Sequence, residues 1–280
     1  KDAIIKIYSS KREYFEGPGS IKSPTPYGCY RKDKDGNIIE VNLIDLMRGK
    51  CTYFPDEKRI AKESYTACLF NLMNDLNNMK VAGESITLEQ KKILIKEYVD
   101  MGKNVTLQVV AKVSGVKKDS ITGYRIDKNS KPVFTEFKGY KAILEGYKKA
   151  EANMDEIVGA RDLVDKIAEI LTKEKSVEKR KEELMKLEIE EKIANELMKL
   201  SGFTQYHSLS FKAMKMILED LIETDKNQMQ LFSGVGLKSR ISENLKGTTI
   251  VFEGKDWIVS PVTRRAVNEA IKVINAARAF

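Results

Sequence analysis

The sequence predicts a mainly α-helical protein with a small β hairpin and short extended segments. Apolar residues recur at positions i, i+3, i+4 and i+7 in several stretches, the spacing that places them on one face of a helix. An Asp-Gly pair between residues of high β propensity indicates a hairpin over Asp33–Val41. The hydrophobic content of 42% is typical of a chain that buries a core.

Apolar stripes and capping residues mark the individual helices. The stripes comprise Leu69, Leu72, Met73 and Leu76; Leu163, Val164, Ile167, Ile170 and Leu171; Leu184, Leu187, Ile193, Leu197 and Leu200; and Met214, Ile217, Leu218 and Leu221. Residues with helix-capping chemistry flank these stripes or mark further helices: Thr87 with Gln90, Thr106 with Gly115, Ser208 or Ser210, and Ser260 followed by Pro261. Two quieter stretches, Ile121–Phe137 and Gly247–Pro261, are predicted to be extended.

Basic residues outnumber acidic ones, and they are unevenly distributed. The chain has 49 Lys and Arg against 41 Asp and Glu, which gives a net charge of +8. Residues 102–141 contain nine basic and three acidic side chains, a local balance of +6. The stretch 176–200 alternates in sign and is predicted to be a solvated helical face. This balance is compatible with a polyanionic partner without requiring one.

Several classes of protein are disfavoured by the residues. No apolar run approaches 18 residues, so no membrane-spanning helix is expected. Three cysteines without CxxC spacing predict a reduced, cytoplasmic protein. The chain begins without methionine and ends without a helix stop signal, and we expect it to be part of a longer protein. A calcium loop at the predicted hairpin is disfavoured because Ile44 stands where a bidentate Glu is needed.

Catalytic and metal-binding patterns are scarce. The single histidine, His207, precedes a predicted helix and is interpreted as a packing or hydrogen-bonding residue. One histidine and scattered cysteines give no zinc spacing, and Gly234–Gly236 lacks the third glycine of a dinucleotide fingerprint. We therefore predict no catalytic residue, no metal ligand and no cofactor in this chain, and no enzyme activity for it alone.

The stretch Arg12–Cys29 reads REYFEGPGSIKSPTPYGC and places aromatic rings against a rigid Gly/Pro backbone. Together with four other segments it resembles the smaller forms of the type II CRISPR effectors, which are RNA-guided DNA endonucleases. The segments, in family order, are Lys11–Gly28, Met47–Asn78, Ile121–Tyr140, Ser201–Phe232 and Ser260–Ala276. They span almost the whole chain, and they include the Gly-Pro-Gly loop and the run Cys51–Pro55.

The resemblance implies the architecture of a multi-helix recognition lobe. Residues 1–85 would form its irregular segment, hairpin and first helix, residues 86–247 its helical body, and residues 248–280 the first part of a RuvC-like nuclease segment. The parent protein would be a bacterial antiviral endonuclease that hydrolyses phosphodiester bonds and uses magnesium. Its catalytic residues would lie outside this chain.

The resemblance also implies contacts to guide RNA and to the guide RNA–target DNA heteroduplex, read through backbone and A-form shape. The matching positions are Lys11, Arg12, Tyr14, Thr52, Tyr53, Arg59, Lys62, Arg125, Ser208, Asn227 and Gln228. Two positions depart from relatives. Phe70 replaces a tyrosine found in some members, which removes a hydroxyl, and Ser208 replaces an asparagine, which shortens the contact.

Each predicted contact has a structural alternative. Tyr14 and Tyr53 would pack under the loop, the basic residues would be solvated, and Asn227 with Gln228 would form a helix C-cap. The alternative function is a protein-interaction surface bound by a phage-encoded anti-CRISPR inhibitor. We expect a monomer with no membrane partner. The protospacer-adjacent motif and the guide nucleotides contacted stay open.

Overall fold

The computed structural model describes residue 24, residues 30–237 and residues 260–278. The chain divides into two compact units, Lys1–Leu237 and Lys238–Phe280. The predicted boundary between residues 247 and 248 lies outside the described residues, as do Lys11, Arg12, Tyr14 and most of the extended stretch Gly247–Pro261. The predicted boundary between residues 85 and 86 stays a prediction.

Helices dominate the described residues, and the strands form three two-stranded antiparallel pairs, β1–β2, β3–β4 and β5–β6. The helices are α1 Leu43–Met47, α2 Tyr65–Asn77, α3 Leu88–Ile93, α4 Leu107–Ser114, α5 Lys138–Lys149, α6 Arg161–Lys173, α7 Val177–Met185, α8 Glu191–Leu197, α9 Phe211–Glu223, α10 Gln228–Gly234 and α11 Pro261–Arg278. The strands are β1 Tyr30–Lys32, β2 Ile38–Glu40, β3 Lys80–Val81, β4 Ile121–Thr122, β5 Arg125–Ile126 and β6 Pro132–Val133. The prediction of a mainly α fold with a small hairpin is confirmed.

Helix α2 is the centre of the larger unit. Its predicted stripe, Leu69, Leu72, Met73 and Leu76, is fully buried, and it packs against α6 and α9. Ser64 caps the helix by accepting a hydrogen bond from the Ala67 amide. Burying four such side chains contributes on the order of 2 kcal/mol each relative to exposure. Because the stripe takes one face, the opposite face of α2 is left for polar residues.

The capping predictions are confirmed at each described helix. Thr87 and Gln90 form a reciprocal capping box at the start of α3. Thr106 caps α4, and Gly115 ends it in the left-handed conformation at φ +68°. Between the two serines considered, Ser210 is the cap of α9. In the second unit, the Ser260 hydroxyl accepts from the Thr263 amide at 3.2 Å at the start of α11.

The hairpin predicted over Asp33–Val41 is the pair β1–β2, with Arg31 opposite Ile39. The Asp33 carboxylate closes its turn by accepting from the amides of Asp35 and Asn37 at 2.9 and 2.8 Å. These hydrogen bonds lower the pKa of Asp33. Among the described residues, no three His, Cys, Asp or Glu side chains are grouped to hold a metal ion.

One predicted stripe is divided. The apolar series from Leu184 to Leu200 belongs to two helices, α7 and α8, separated by a turn in which Glu188 has φ +60°. Arg180 supports this arrangement by donating to the carbonyls of Met198 and Leu200 at 3.2 and 2.9 Å. A periodic pattern does not reveal such a break when the turn preserves the phase of the stripe.

The core of the larger unit is one continuous cluster that runs from Cys51 to Phe232 and includes residues from α2, α4, α5, α6, α7, α8, α9 and α10. Within the part of the chain that the structure describes, no helix is both long and apolar enough to cross a lipid bilayer.

Candidate nucleic-acid interface

A polar groove with a cavity volume of about 790 Å³ lies beside α2. Four parts of the chain form it: the segment 52–63, the polar face of α2, the β5–β6 hairpin, and the loop before α9 with the start of α10. Its lining residues are Thr52, Tyr53, Lys62, Glu63, Cys68, Asn71, Asn74, Asp75, Arg125, Val133, Phe134, Thr135, Glu136, Lys138, His207, Ser208, Leu209 and Gln228. We call this cavity the α2 groove.

Six of the predicted contact residues line the α2 groove, although they come from distant parts of the sequence. They are Thr52, Tyr53, Lys62, Arg125, Ser208 and Gln228. Arg59 and Asn227 lie next to the groove without lining it. Lys11, Arg12 and Tyr14 lie outside the described residues, and their contacts stay predictions.

Backbone pairing brings the first and last of these segments together. The Ile60 amide donates to the Leu209 carbonyl at 2.9 Å, and the His207 amide donates to the Ile60 carbonyl at 2.8 Å. The amide and hydroxyl of Thr52 both donate to the Ser208 carbonyl at 3.1 Å. The exposed Ser208 hydroxyl makes no hydrogen bond with the described residues. Ser208 therefore offers a free donor and acceptor at the groove edge.

Tyr53 combines the two interpretations that the sequence left open. Its ring stacks on Phe232 with centroids 4.1 Å apart and an interplanar angle of 25°, so its body packs against the core. Burial raises the pKa of the Tyr53 phenol. Its hydroxyl has no hydrogen-bond partner among the described residues, so it is a neutral group available at the groove.

His207 has the hydrogen-bonding role that the sequence predicts. Its Nδ1 accepts from the Leu209 amide at 3.1 Å, which leaves the proton on Nε2 to be donated to the Asn71 Oδ1 at 3.2 Å. Burial lowers the pKa of His207 to about 4, and the nearby cations Lys62 and Arg59 add to the shift. The ring is therefore neutral at pH 7 and fixes Asn71 in the groove wall.

Arg125 enters the groove from strand β5. Its Nη2 donates to the Asp75 carboxylate at 2.5 Å and to the Thr135 hydroxyl at 3.3 Å. Burial raises the pKa of Asp75, and the Arg125 guanidinium opposes this effect. The Arg125 side chain stays 56% exposed, so its remaining N–H groups face the groove as donors. Asp75 and Thr135 thus hold the guanidinium in place.

Arg59 supports the loop that carries the predicted contacts. Its Nε donates to the Lys50 carbonyl at 2.9 Å, and its guanidinium lies over Gly49. A Cβ at residue 49 would be 2.9 Å from the guanidinium carbon, so a larger residue there would displace the end of the Arg59 side chain. The guanidinium is half-buried against the backbone rather than freely solvated.

The alternative of a C-cap at Asn227 is wrong, because Asn227 caps the start of α10. Its Oδ1 accepts from the amides of Met229 and Gln230 at 3.1 Å, and Gln230 completes a capping box. Its Nδ2 donates to the Asn78 Oδ1 at 3.1 Å. The cap residue of the preceding helix, α9, is Thr224. The Asn227 side chain is thus engaged in local structure, whereas the Gln228 side chain makes no hydrogen bond with the described residues.

Two groove residues, Asn71 and Asn74, were not predicted from the sequence. They lie on the polar face of α2 together with Asp75, at i, i+3 and i+4. The Asn74 Oδ1 accepts from the Gln228 amide at 2.9 Å, so it joins α2 to α10. The signal was present as a polar stripe opposite the apolar one, but a polar helical face usually means only solvent.

Phe70 lies in the core rather than in the groove. Its side chain is fully buried, and its ring approaches Phe232 at 6.5 Å and His207 at 6.4 Å. The missing hydroxyl therefore removes no contact from the groove of this chain.

The groove lining carries as many carboxylates as cations. The cations are Lys62, Arg125 and Lys138, and the carboxylates are Glu63, Asp75 and Glu136. Lys138 pairs with Glu136 at 3.2 Å, and Lys62 donates to the Gln205 amide oxygen at 2.7 Å. The groove thus presents mainly neutral donors and acceptors, with single cations at defined positions.

No family model matches the chain. The chain is 34% identical over 283 residues to the CRISPR-associated endonuclease Cas9 of Staphylococcus aureus, covering 98% of this chain and 25% of that protein. It is 33% identical over 290 residues to CRISPR-associated endonuclease Cas9 1 of Streptococcus thermophilus, with the same coverage of 98% and 25%. The chain thus spans about a quarter of the length of the curated relatives it matches.

Solved structures agree with the sequence comparison. The structure of Streptococcus thermophilus Cas9 in complex with AGGA PAM matches with a TM-score of 0.68 and 30% identity, covering 99% of this chain and 26% of that chain. The St1Cas9–sgRNA–tDNA59–ntPAM complex matches with a TM-score of 0.69 and 31% identity, covering 99% and 34%. The same coverage is found for the complex that also contains AcrIIA6, with a TM-score of 0.66 and 31% identity. The chain therefore belongs to the Cas9 family of type II CRISPR-associated endonucleases.

Proposed function

We propose that this chain binds guide RNA and the guide RNA–target DNA heteroduplex as part of the recognition lobe of an RNA-guided endonuclease in bacterial antiviral defence. One observation carries the proposal. Six residues chosen by resemblance, scattered between Thr52 and Gln228, line a single polar groove. Such convergence is expected of a binding surface and is not required by the fold.

The chemistry of the groove suits an A-form duplex. Such a duplex presents a wide, shallow minor groove with 2′-hydroxyls and regularly spaced phosphates. Neutral hydroxyl and amide groups such as Ser208, Asn71 and Gln228 hydrogen-bond to 2′-hydroxyls, and the single cations Lys62 and Arg125 contact phosphates. Base pairing within the heteroduplex reads sequence, and the protein reads shape, as in other RNA-guided endonucleases.

The remaining predicted residues have supporting or parallel roles in this proposal. Arg59 and Asn227 hold the loop over Gly49 and the start of α10, whereas Lys11, Arg12 and Tyr14 extend the contact surface. Residues 248–280 contribute to the RuvC-like segment of the parent protein, which cleaves phosphodiester bonds in the bacterial cytoplasm. Within the described residues, no group of His, Cys, Asp or Glu side chains could hold the magnesium expected for that cleavage.

A binding experiment tests the proposal directly. A 20-base-pair RNA–DNA hybrid and a DNA duplex of the same sequence are titrated with the chain over a salt series. We expect the chain to bind the hybrid at least about tenfold more tightly than the DNA, and Ser208→Ala and Gln228→Ala each to weaken hybrid binding about threefold, as for loss of one hydrogen bond. The exposed substitution Lys186→Gln is the control. Equal affinity for both duplexes, or no hybrid binding at low salt, contradicts the proposal.

A second candidate is a surface for an anti-CRISPR protein, and it is favoured by the match to the complex that contains AcrIIA6. Co-elution of the chain with such an inhibitor, abolished by reversing charges in residues 102–141, supports it. Unchanged elution with a panel of inhibitors contradicts it.

A further inference from the structure

The turn between α9 and α10 is tied down from several sides before it delivers Gln228 to the α2 groove. The Asn77 Nδ2 donates to the carbonyls of Leu221 and Lys226 at 2.9 and 2.7 Å. Asn227 bonds to Asn78, and the Gln228 amide bonds to Asn74. The end of α9 and the start of α10 are thereby held against α2.

Lys91, on α3, is the buried cation that completes this arrangement. Its side chain is only 1% exposed. Its Nζ donates to the carbonyls of Leu221, Ile222 and Thr224 at 3.0, 3.1 and 2.6 Å. These are among the last carbonyls of α9, which have no partner within the helix. The ammonium therefore satisfies three acceptors at the negative end of the helix dipole.

Burying the Lys91 ammonium costs free energy of folding, and packing alone does not explain its position. A buried ammonium is expensive unless its hydrogen bonds are all made, and no carboxylate among the described residues lies within 4 Å of it. Burial lowers the pKa of Lys91 to about 8, opposed by the nearby Asp225 carboxylate, so the side chain keeps its three donors at pH 7. Asn77 is buried as well, and its Oδ1 has no partner among the described residues. Two buried polar side chains are thus committed to a single turn.

We propose that Lys91 is a positioning residue for nucleic-acid binding: it fixes the end of α9 and the following turn so that the Gln228 side chain projects into the α2 groove. Lys91 itself contacts no nucleic acid and acts only through the turn. This inference rests on the proposed function of the groove, and it adds a residue that lies on α3, outside the groove lining.

A double-mutant cycle on hybrid binding tests the inference in the full chain. Lys91→Met keeps an unbranched side chain as far as Cε and removes the donors, and Gln228→Ala removes the group that Lys91 positions. We expect each single variant to weaken binding of the RNA–DNA hybrid about threefold and the double variant to be no weaker than either one. Arg125→Gln changes a groove residue that is held by Asp75 and Thr135 and not by the α9–α10 turn. In combination with it, Lys91→Met is expected to multiply its effect on hybrid binding.

The neighbouring lysine supplies a matched control. Lys92 is 57% exposed and pairs with Glu89 at 3.2 Å, and Lys92→Met is expected to leave hybrid binding unchanged. A merely structural role for Lys91 would not produce coupling confined to Gln228. Lys91→Gln restores hydrogen-bond donors, and we expect its hybrid affinity to be within twofold of the wild-type value.

The outcomes separate the two proposals. If the wild-type chain binds no hybrid, the proposed function and this inference both fail. If the wild type binds and the effects of Lys91→Met and Gln228→Ala multiply, or Lys91→Met binds as the wild type does, only the positioning role is overturned. If neither Lys91→Met nor Lys91→Gln folds, as judged by thermal unfolding, Lys91 is a residue of core stability and the inference is overturned.

Discussion

Two lysine-rich stretches of the chain have opposite electrostatics. In residues 177–199 every lysine lies within 4 Å of a carboxylate, and the pairs are Lys179–Glu40, Lys181–Glu191, Lys186–Glu183, Lys192–Glu190 and Lys199–Glu196. In residues 102–141 only Arg125 and Lys138 pair with a carboxylate among the described residues. The other seven basic side chains of that stretch have no carboxylate partner in the described part of the chain.

The difference teaches that composition alone does not identify a binding face. Exposed ion pairs contribute about 0–1 kcal/mol each, so pairing in residues 177–199 does little for stability. It does cancel the positive potential there. The unpaired stretch 102–141 retains its potential, and it borders the α2 groove through Arg125 and Lys138. We therefore expect a polyanion to be attracted to the second stretch and not to the first.

The largest expected effect comes from neutralising the unpaired stretch. A variant that changes Lys112, Lys117, Lys118 and Lys131 to Gln should bind the RNA–DNA hybrid about 100-fold more weakly at 0.1 M salt, with a shallower dependence on salt, because fewer counterions are released. Titrations at several salt concentrations measure both quantities.

The matched control changes Lys181, Lys186, Lys192 and Lys199 to Gln. It removes the same charge from the paired stretch and should weaken hybrid binding less than about threefold, since the field is screened within about 10 Å at this ionic strength. Equal losses of hybrid affinity in the two variants would show that the unpaired stretch 102–141 attracts the polyanion no more strongly than the paired stretch 177–199.

Stability measured as a function of pH reports on His207 in the groove wall, independently of the two lysine-rich stretches. His207 has a pKa of about 4 in the folded state and an ordinary value near 6.5 when unfolded. The unfolded state therefore binds the extra proton between these values, and stability is lost as pH falls through that window. We expect a loss of about 2 kcal/mol between pH 7.5 and pH 5 from this residue, measured by denaturant unfolding.

His207→Gln isolates that contribution, because the carboxylates titrate alike in both proteins. Between pH 7.5 and pH 5, the free energy of unfolding of the variant should fall by about 2 kcal/mol less than that of the wild type. Parallel pH profiles would show that His207 is not held neutral by its surroundings.

A smaller effect is expected from Arg125→Gln. Loss of one phosphate contact should weaken hybrid binding about tenfold. Stability should fall by only about 1 kcal/mol, because Arg125 is half-exposed and the buried Asp75 carboxylate keeps its hydrogen bond from the Thr135 hydroxyl. Isothermal titration and thermal unfolding distinguish the two effects. A large loss of stability with unchanged affinity would assign Arg125 to the fold.

The smallest effect concerns single pairs in the solvated stretch. Lys186→Ala should change the free energy of unfolding by less than about 0.5 kcal/mol. A loss above about 1 kcal/mol in denaturant unfolding would show that the pairs in residues 177–199 stabilise the fold, and the contrast between the stretches would need another explanation.

Much of the fold follows from local chemistry in the sequence. The stripe of α2, the capping box of Thr87 and the end of α4 at Gly115 are all determined by neighbours within a few residues, and they were predicted. The sequence does not predict the turn at Glu188 that separates α7 from α8, because the apolar spacing continues unchanged across it.

The site depended on longer-range information. Resemblance supplied residues such as Thr52 and Gln228, but their convergence requires the backbone pairing of residues 52–62 with 205–209. The roles of Asn74 and Lys91 emerge only when α9 and α10 are packed on α2 and α3. No local pattern separates a lysine that caps a distant helix from one that faces solvent.

Hydrogen exchange of the backbone amides, with and without the RNA–DNA hybrid, tests the central claim most directly. We predict slower exchange on binding in peptides covering residues 50–62, 71–78, 205–209 and 225–230, and unchanged exchange in residues 177–199. Protection of residues 177–199 with no change around the α2 groove would contradict the account.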